Sequence, residues 1–338
     1  MTRGTGRPTI LDVAARAGVS KSLVSMVLRG EEGVSEPRRD AVMRAMTELG
    51  YRPNAAARSL VQQRTNTIGA VLSNLANPWF IDLLGAMRTS LTHNGFNLFL
   101  AEGDDLASDS SILDAFVEAR VDGLLCVGTL PVTDQLVALT SSVPTVVASA
   151  REPDLPYVDV VTGDDRLGAS AATGHLIELG HKRIAQLAGT GRVAELRAAG
   201  YEDEMVRRGL REFLRTEVSD RSENGDATAA ENLLGGSHDR PTAVLANNDY
   251  AALIVMSTAR AHGLTVPNDL SVVGYDNTRL ARTDYISLTT VDNSYSEMGA
   301  LAVERLLARI REPRAARTVT LLDPHLRIRN TTMPMLSN

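Results

Sequence analysis

Two groups of residues in this sequence have the types and spacing to do chemistry, and in both the chemistry is recognition. In the first, short apolar runs are followed at once by polar or aromatic side chains. "NPWF" supplies Trp79 and Phe80, "FLAEGD" ends in Asp104, "AVLANND" in Asn248 and Asp249, and "SVVGYD" in Asp276. Carboxylates and amides at strand ends suit a hydroxyl-rich ligand, because buried polar groups need partners. The two rings could stack on a sugar or base face, or simply be core. Asn248–Asp249 could also cap the next helix, a role that suits Asp249 and leaves ligand contact open.

Bond-making chemistry has little support. There is no Gly-x-Ser-x-Gly elbow and no phosphate-binding loop. Six histidines include no His-Glu-x-x-His and no paired ligands, so neither catalytic residues, a metal nor a cofactor is expected. "RIAQLAGTGRVA" does place Gly189, Gly191 and Ala194 in a GxGxxA-like turn that suits a pyrophosphate at a helix N-terminus. It lies mid-chain, however, and "REFLRTEVSD", about 20 residues on, is a poor second strand. Both points count against a dehydrogenase.

The second group lies in "LDVAARAGVSKSLVSMVLRG", residues 11–30. Its pattern predicts two short amphipathic helices hinged at Gly18. Thr9 caps the first, Asp12 completes a box-like start, and Ile10, Val13, Ala14 and Ala17 form the apolar stripe. Ser20 caps the second, with Val24, Val27 and Leu28 inward and Lys21, Ser22, Ser25 and Met26 outward. Ser35 caps a third helix carrying Ala41, Val42, Ala45, Met46 and Leu49, and Gly50 ends it. This is the helix-turn-helix pattern, whose second helix reads the major groove. A bundle that touches no nucleic acid would carry the same stripes. "YRPNAAARSL" follows, where Asn54 can cap a helix of about 55–60, too short to stand alone in water. It could equally be a plain linker.

The elements that must position the first group are α/β. Apolar strand-like runs near 67–73, 97–102, 123–128, 145–149, 157–162, 183–188, 243–247, 271–276 and 288–292 alternate with helical stretches. Alternation of this kind predicts parallel sheets wrapped by helices. The span predicts two similar lobes with the ligand between them, at the C-terminal ends of strands.

Charge is distributed in the same sense. The 338-residue chain carries −6, but residues 1–60 carry +4 and the remainder −10, so a basic head precedes an acidic body. No run of about 18 apolar residues predicts a membrane span, and no signal peptide is visible. Cys126, the one cysteine, sits in "GLLCVG" and reads as a core thiol. A cytoplasmic, nucleoid-associated protein is expected.

From Thr9 to Leu60 the chain resembles the lactose-repressor (LacI/GalR) family of bacterial transcription regulators. "DVAARAGVSKSLVSMVL", "VSEPRR", "LGYRPNAAARSL" and "NTIGAV" occur in the family's order and spacing, and "NPWF", "RVDGLL", "HLIELGHKRIA", "RAAGY", "ANND", "VPNDLSVVGYDN" and "LTTV" extend the match over almost the whole chain. The resemblance implies a helix-turn-helix domain at 1–53, a hinge helix and linker at 54–64, and a periplasmic-binding-protein-like effector and dimerisation domain at 65–338. One lobe would take about 65–162 and 293–321, the other 163–292 and 322–338. It implies double-stranded operator DNA, a small-molecule effector and a second copy of the chain as partners. Lys21 and Ser22 fall on base-reading positions, Ser25 on a phosphate-contacting one, and Leu60 on the leucine wedged into the minor groove. Arg197 falls on an effector-binding arginine, and Asn248, Asp249 and Asp276 on effector-contacting positions.

Departures from the family pattern blur the effector. Ser149-Ala150, with Arg151 one step on, replace an Asp-Arg pair. No aromatic occurs between Phe213 and Tyr250. Asp292 and Asn293 stand where a basic residue and glutamine are usual. Met26 stands where a polar reader is common, beside Leu23 at a position often threonine. With no leucine heptads before "MPMLSN", a tetramer is not expected.

Overall fold

The computed structural model describes residues 8–29, 31, 33–51, 64–73, 75, 77–103, 111–150, 155, 157–220, 223–236 and 240–335. It divides into two compact units, Met1–Thr65 and Asn66–Asn338.

The first unit holds α1 (Ile10–Ala17), α2 (Lys21–Arg29) and α3 (Glu36–Leu49). Thr9 and Asp12 form a reciprocal capping box at α1, with Thr9 N–H donating to Asp12 Oδ2 at 2.7 Å. Gly18 ends α1 at φ +64 and Gly50 ends α3 at φ +62, the left-handed conformation that glycine holds without strain. Ser20 Oγ accepts from Leu23 N–H at 3.2 Å, capping α2. Ser35 occupies the cap position of α3 without a side-chain cap bond; Pro37, in the first turn, lacks an N–H that would need capping. Val13, Ala14, Val24, Val27, Val42 and Ala45 form the small core, as the stripes predict.

The second unit contains two six-stranded sheets. The first is built from β1 (Thr67–Leu72), β2 (Asn97–Glu102), β3 (Gly123–Val127), β4 (Thr145–Ala148), β5 (Asp159–Gly163) and β11 (Val319–Leu322), in the order β11-β5-β4-β3-β1-β2, all parallel. Its helices are α4 (Pro78–His93), α5 (Ser111–Ala119), α6 (Asp134–Ser142) and α11 (Tyr295–Arg311). The second sheet is built from β6 (Ile184–Ala188), β7 (Arg215–Val218), β8 (Ala243–Ala246), β9 (Ser271–Tyr275), β10 (Thr289–Asp292) and β12 (His325–Arg327), in the order β12-β10-β9-β8-β6-β7, with only β12 antiparallel. Its helices are α7 (Asp165–Glu178), α8 (Arg192–Arg207), α9 (Glu223–Leu234) and α10 (Asp249–Ala261).

Successive strand side chains face opposite sides, and both sides are covered, so central strands read as unbroken apolar runs. On β1, Ile68, Ala70 and Leu72 enter the core shared with α4 and α11, while Val71 enters the core beneath α5 and α6. Cys126 is buried in the latter, and burial pushes its thiol up to about 12, which makes it an inert core residue.

Three strands lie beyond the runs marked in the sequence: β7, β11 and β12. "REFLRTEVSD" does contain a strand, since β7 pairs in parallel with β6 from Arg215 opposite Ala185. All three are short sheet edges whose side chains are largely solvated, and the sequences of β7 and β12 lack an apolar run.

The chain crosses between lobes after β5, after β10 and after β11. The first and third crossings are tied together by Asp164 N–H, which donates to Leu322 O at 3.0 Å, and within the second Ser294 N–H donates to Asp292 Oδ1 at 2.9 Å.

Candidate functional site

In the first unit, α2 presents Lys21 and Ser22 fully outward, with Ser25 and Met26 half-buried. The local reason is the stripe: Val24 and Val27 are locked inward, so the positions between them are turned away from the core. Leu23 packs on that core, whereas Met26 lies outside the cluster among the described residues. Asn54 and Leu60 lie outside the described residues, as does Asp104.

The second candidate site lies at the C-terminal ends of the two sheets, where the lobes meet. Arg197, on α8, is its centre and is only 8% exposed. Its Nε donates to Asp165 Oδ1 at 2.9 Å, its Nη1 donates to the Asn247 carbonyl at 2.5 Å, and its Nη2 lies 3.7 Å from Asp276 Oδ1. The guanidinium also lies 3.6 Å from the centre of the Tyr275 ring, a cation–π contact. Burial opposes its charge, but the attraction of Asp165 and Asp276 outweighs burial and raises its pKa.

Asp276 links the lobes. Asn77, the N-cap of α4, donates through Nδ2 to Asp276 Oδ2 at 3.1 Å. Asp276 stands at φ +109, a conformation that side-chain-bearing residues rarely hold and that clusters at binding sites. Burial pushes its carboxyl up to about 7 against the pull of Arg197. Tyr275 Oη is buried and makes no hydrogen bond among the described residues.

Other predicted residues fall differently. Asn248, not Asp249, is the N-cap of α10, accepting from Ala251 N–H at 2.8 Å. Asp249 is instead spent inside the lobe: Oδ2 accepts from Thr278 N–H and Oγ1 at 2.7 and 2.8 Å, and Oδ1 from Thr290 Oγ1 at 2.5 Å. Burial still pushes it up to about 6. Trp79 belongs to the core of the first lobe at 2% exposure, so its surroundings support the core role rather than stacking. Phe80 is half-buried, edge-on to Trp79 at 5.3 Å, and its ring would meet a Cβ placed on Gly128 at 2.9 Å. It lies against the loop after β3 as well as the core. Asp292 accepts from Asn277 Nδ2 and Arg327 Nε, both at 3.0 Å, and so braces a lobe crossing.

Sequence reasoning missed Asn77, Asp165, Asn247 and Tyr275. Asn77 opens the quoted "NPWF", so it carried a signal as a cap. Asp165 reads only as an acid in a first helical turn, and the Asn247 contact is made by backbone. A second contact between lobes was also missed. Buried Asp82 of α4 receives Arg279 Nε at 2.7 Å and lies 4.0 Å from Arg282 Nη2, which in turn donates to Tyr295 Oη at 3.2 Å.

The glycine turn at 189–191 leads into α8 and the Arg197 cluster, and a Cβ on Gly189 would meet Asn247 Nδ2 at 2.9 Å. The β7 strand removes one ground against a dinucleotide site, and comparison with known proteins decides the matter. The model of the lacI family of bacterial regulatory proteins matches residues 9–54, and that of the periplasmic binding protein-like domain matches residues 173–332. The ribose operon repressor of Escherichia coli (strain K12) is 36% identical over 326 residues, covering 94% of this chain and 98% of that one. The solved lac repressor dimer bound to operator and the anti-inducer ONPF is similar with a TM-score of 0.84 and 29% identity, over 97% of this chain and 100% of that one. The transcriptional regulator CelR in complex with cellobiose is similar with a TM-score of 0.71 and 31% identity, over 96% of this chain and 100% of that one. These relatives are regulators, not enzymes. Among the described residues no helix is long and apolar enough to cross a membrane.

Proposed function

This chain belongs to the lacI family of bacterial regulatory proteins, DNA-binding repressors with a periplasmic-binding-protein-like effector domain, and from that premise we propose that it represses transcription as a homodimer on a palindromic operator under control of a sugar or related metabolite. Residues 1–53 read a half-site through Lys21, Ser22, Ser25 and Met26. Residues 54–64 act as the hinge, with Asn54 capping it and Leu60 wedged at the operator centre. Residues 65–338 bind the effector and dimerise.

One observation carries the effector reading: the Asn77–Asp276–Arg197 chain joins the two lobes at their strand ends. A ligand that takes hydrogen bonds from this chain binds one lobe arrangement better than another, which is the only way it can shift the hinges. Arg197, Asp276, Asn248 and Phe80 form its polar and aromatic wall. Asp249 acts behind them by fixing Thr278 and Thr290.

A thermal-shift screen of neutral sugars, nucleosides and metabolites should find a ligand that changes operator affinity. Arg197→Gln should keep operator binding and lose that response. An effector whose calorimetric affinity is unchanged in both Arg197→Gln and Asp276→Asn would show that the pocket lies elsewhere.

A further inference from the structure

Two buried arginines occur among the described residues, Arg197 and Arg309. Arg309 is consumed far from the lobe junction, by both oxygens of Asp159 at 2.5 and 2.9 Å and by the carbonyls of Pro313, Ala315 and Ala316. Arg197 is therefore the buried cation available to a ligand between the lobes, and it is met by two carboxylates. Asp165 takes its Nε at 2.9 Å, and Asp276 lies 3.7 Å from its Nη2. Asp164 and Asp249 add acidity around Tyr275 and Asp276, while Arg329 acts on Asp249 and donates to the Asn277 side chain.

We propose that Asp165 sets the charge selectivity of the effector site, so that an uncharged, hydroxyl-rich ligand is admitted and a phosphorylated or carboxylated one is refused. The inference rests on the effector pocket proposed above and narrows its ligand class. An anion drawn to Arg197 must displace or approach carboxylates already in place, in surroundings where charges are poorly screened. A neutral polyol instead donates hydroxyls to Asp276 and accepts from the remaining guanidinium N–H groups, which leaves every buried charge paired. Asp165 opens α7 immediately after the first lobe crossing. It is a positioning and selectivity residue, one step behind the ligand. The upward shift of Asp276 is the expected companion of surplus negative charge.

The test uses inorganic phosphate as the probe, titrated calorimetrically into the full-length wild type, Asp165→Asn, Arg197→Gln and the Asp165→Asn/Arg197→Gln double variant. Wild type should bind phosphate no better than Arg197→Gln, which subtracts binding elsewhere on the chain. Asp165→Asn should gain a site at least tenfold tighter, and the double variant should lose it. Arg197-dependent phosphate binding in the wild type overturns the proposal, as does an Asp165→Asn protein that gains none. Should Asp165→Asn not fold, Asp165→Ser takes its place, and the wild-type comparison decides by itself. In a second arm, D-ribose is compared with D-ribose 5-phosphate and cellobiose with cellobionate. Tighter binding of an anionic member by the wild type also overturns the proposal. Failure of the pocket assignment looks different: an effector response that survives Arg197→Gln.

Discussion

Arg197 and Asp165 are each mostly buried, so removing either charge takes away a partner that solvent cannot replace. Arg197→Ala should therefore destabilise the protein by about 3 kcal/mol, the range for breaking a buried pair. Arg197→Met combined with Asp165→Asn should recover part of that loss, and denaturant titration of the wild type, the single variant and the double variant checks it. A solvated helix arginine would cost almost nothing. Asp276 gives a pH signature. Its folded-state pKa is raised to about 7, so folding binds a proton there, and its contribution to stability falls as pH rises from the ordinary carboxylate range through about 7. Asp249, raised to about 6, declines in the same sense at lower pH, so Asp276→Asn should remove only the part of the thermal-denaturation decline between about 6 and 7, and an unchanged decline in that upper window would refute the assignment. At the other end of the chain, Met26 can offer only apolar contact to a base edge. Met26→Arg should move one operator position toward G·C by about 1–3 kcal/mol in a half-site binding selection, leaving the others unchanged. A mutant that merely melts earlier would return Met26 to the core.

At the scale of elements, what could be read from the sequence depended on burial. Helices α1 to α3 were legible because their caps and stripes are local. The central strands were legible because both faces are covered. The edges β7 and β12 were not, since "RTEV" and "HLR" hold their place by backbone pairing and not by an apolar run, and the four residues of β11 are too short a signal on their own. Site residues follow the same division. Asp276 was visible as a strand-end acid, whereas Asp165 and Asn77 become site residues only through partners 32 and 199 positions away. The Asp82 contact is likewise non-local, and it lies apart from the Arg197 cluster, at a different point of the same lobe junction. Arg279 is 81% exposed there, so the pair holds the lobes by about 1 kcal/mol at most. Asp82→Asn should shift the ligand-free protein toward the open arrangement by roughly fivefold. Distances between spin labels on the two lobes would show it, and high salt should reproduce it in the wild type alone.

For the whole molecule, the division of charge matches the division of labour: a basic reader for a polyanion and an acidic body whose buried site favours neutral ligands. The central claim is that these units together make an operator-binding dimer. The direct measurement is a selection of duplex DNA from a random pool by the full chain, followed by affinity against salt for the enriched sequence. Palindromes should emerge with half-site centres about one helical turn apart. Log affinity should fall linearly with log salt by about 0.9 for each phosphate neutralised. A pool without palindromic enrichment, or an affinity indifferent to salt, would contradict it.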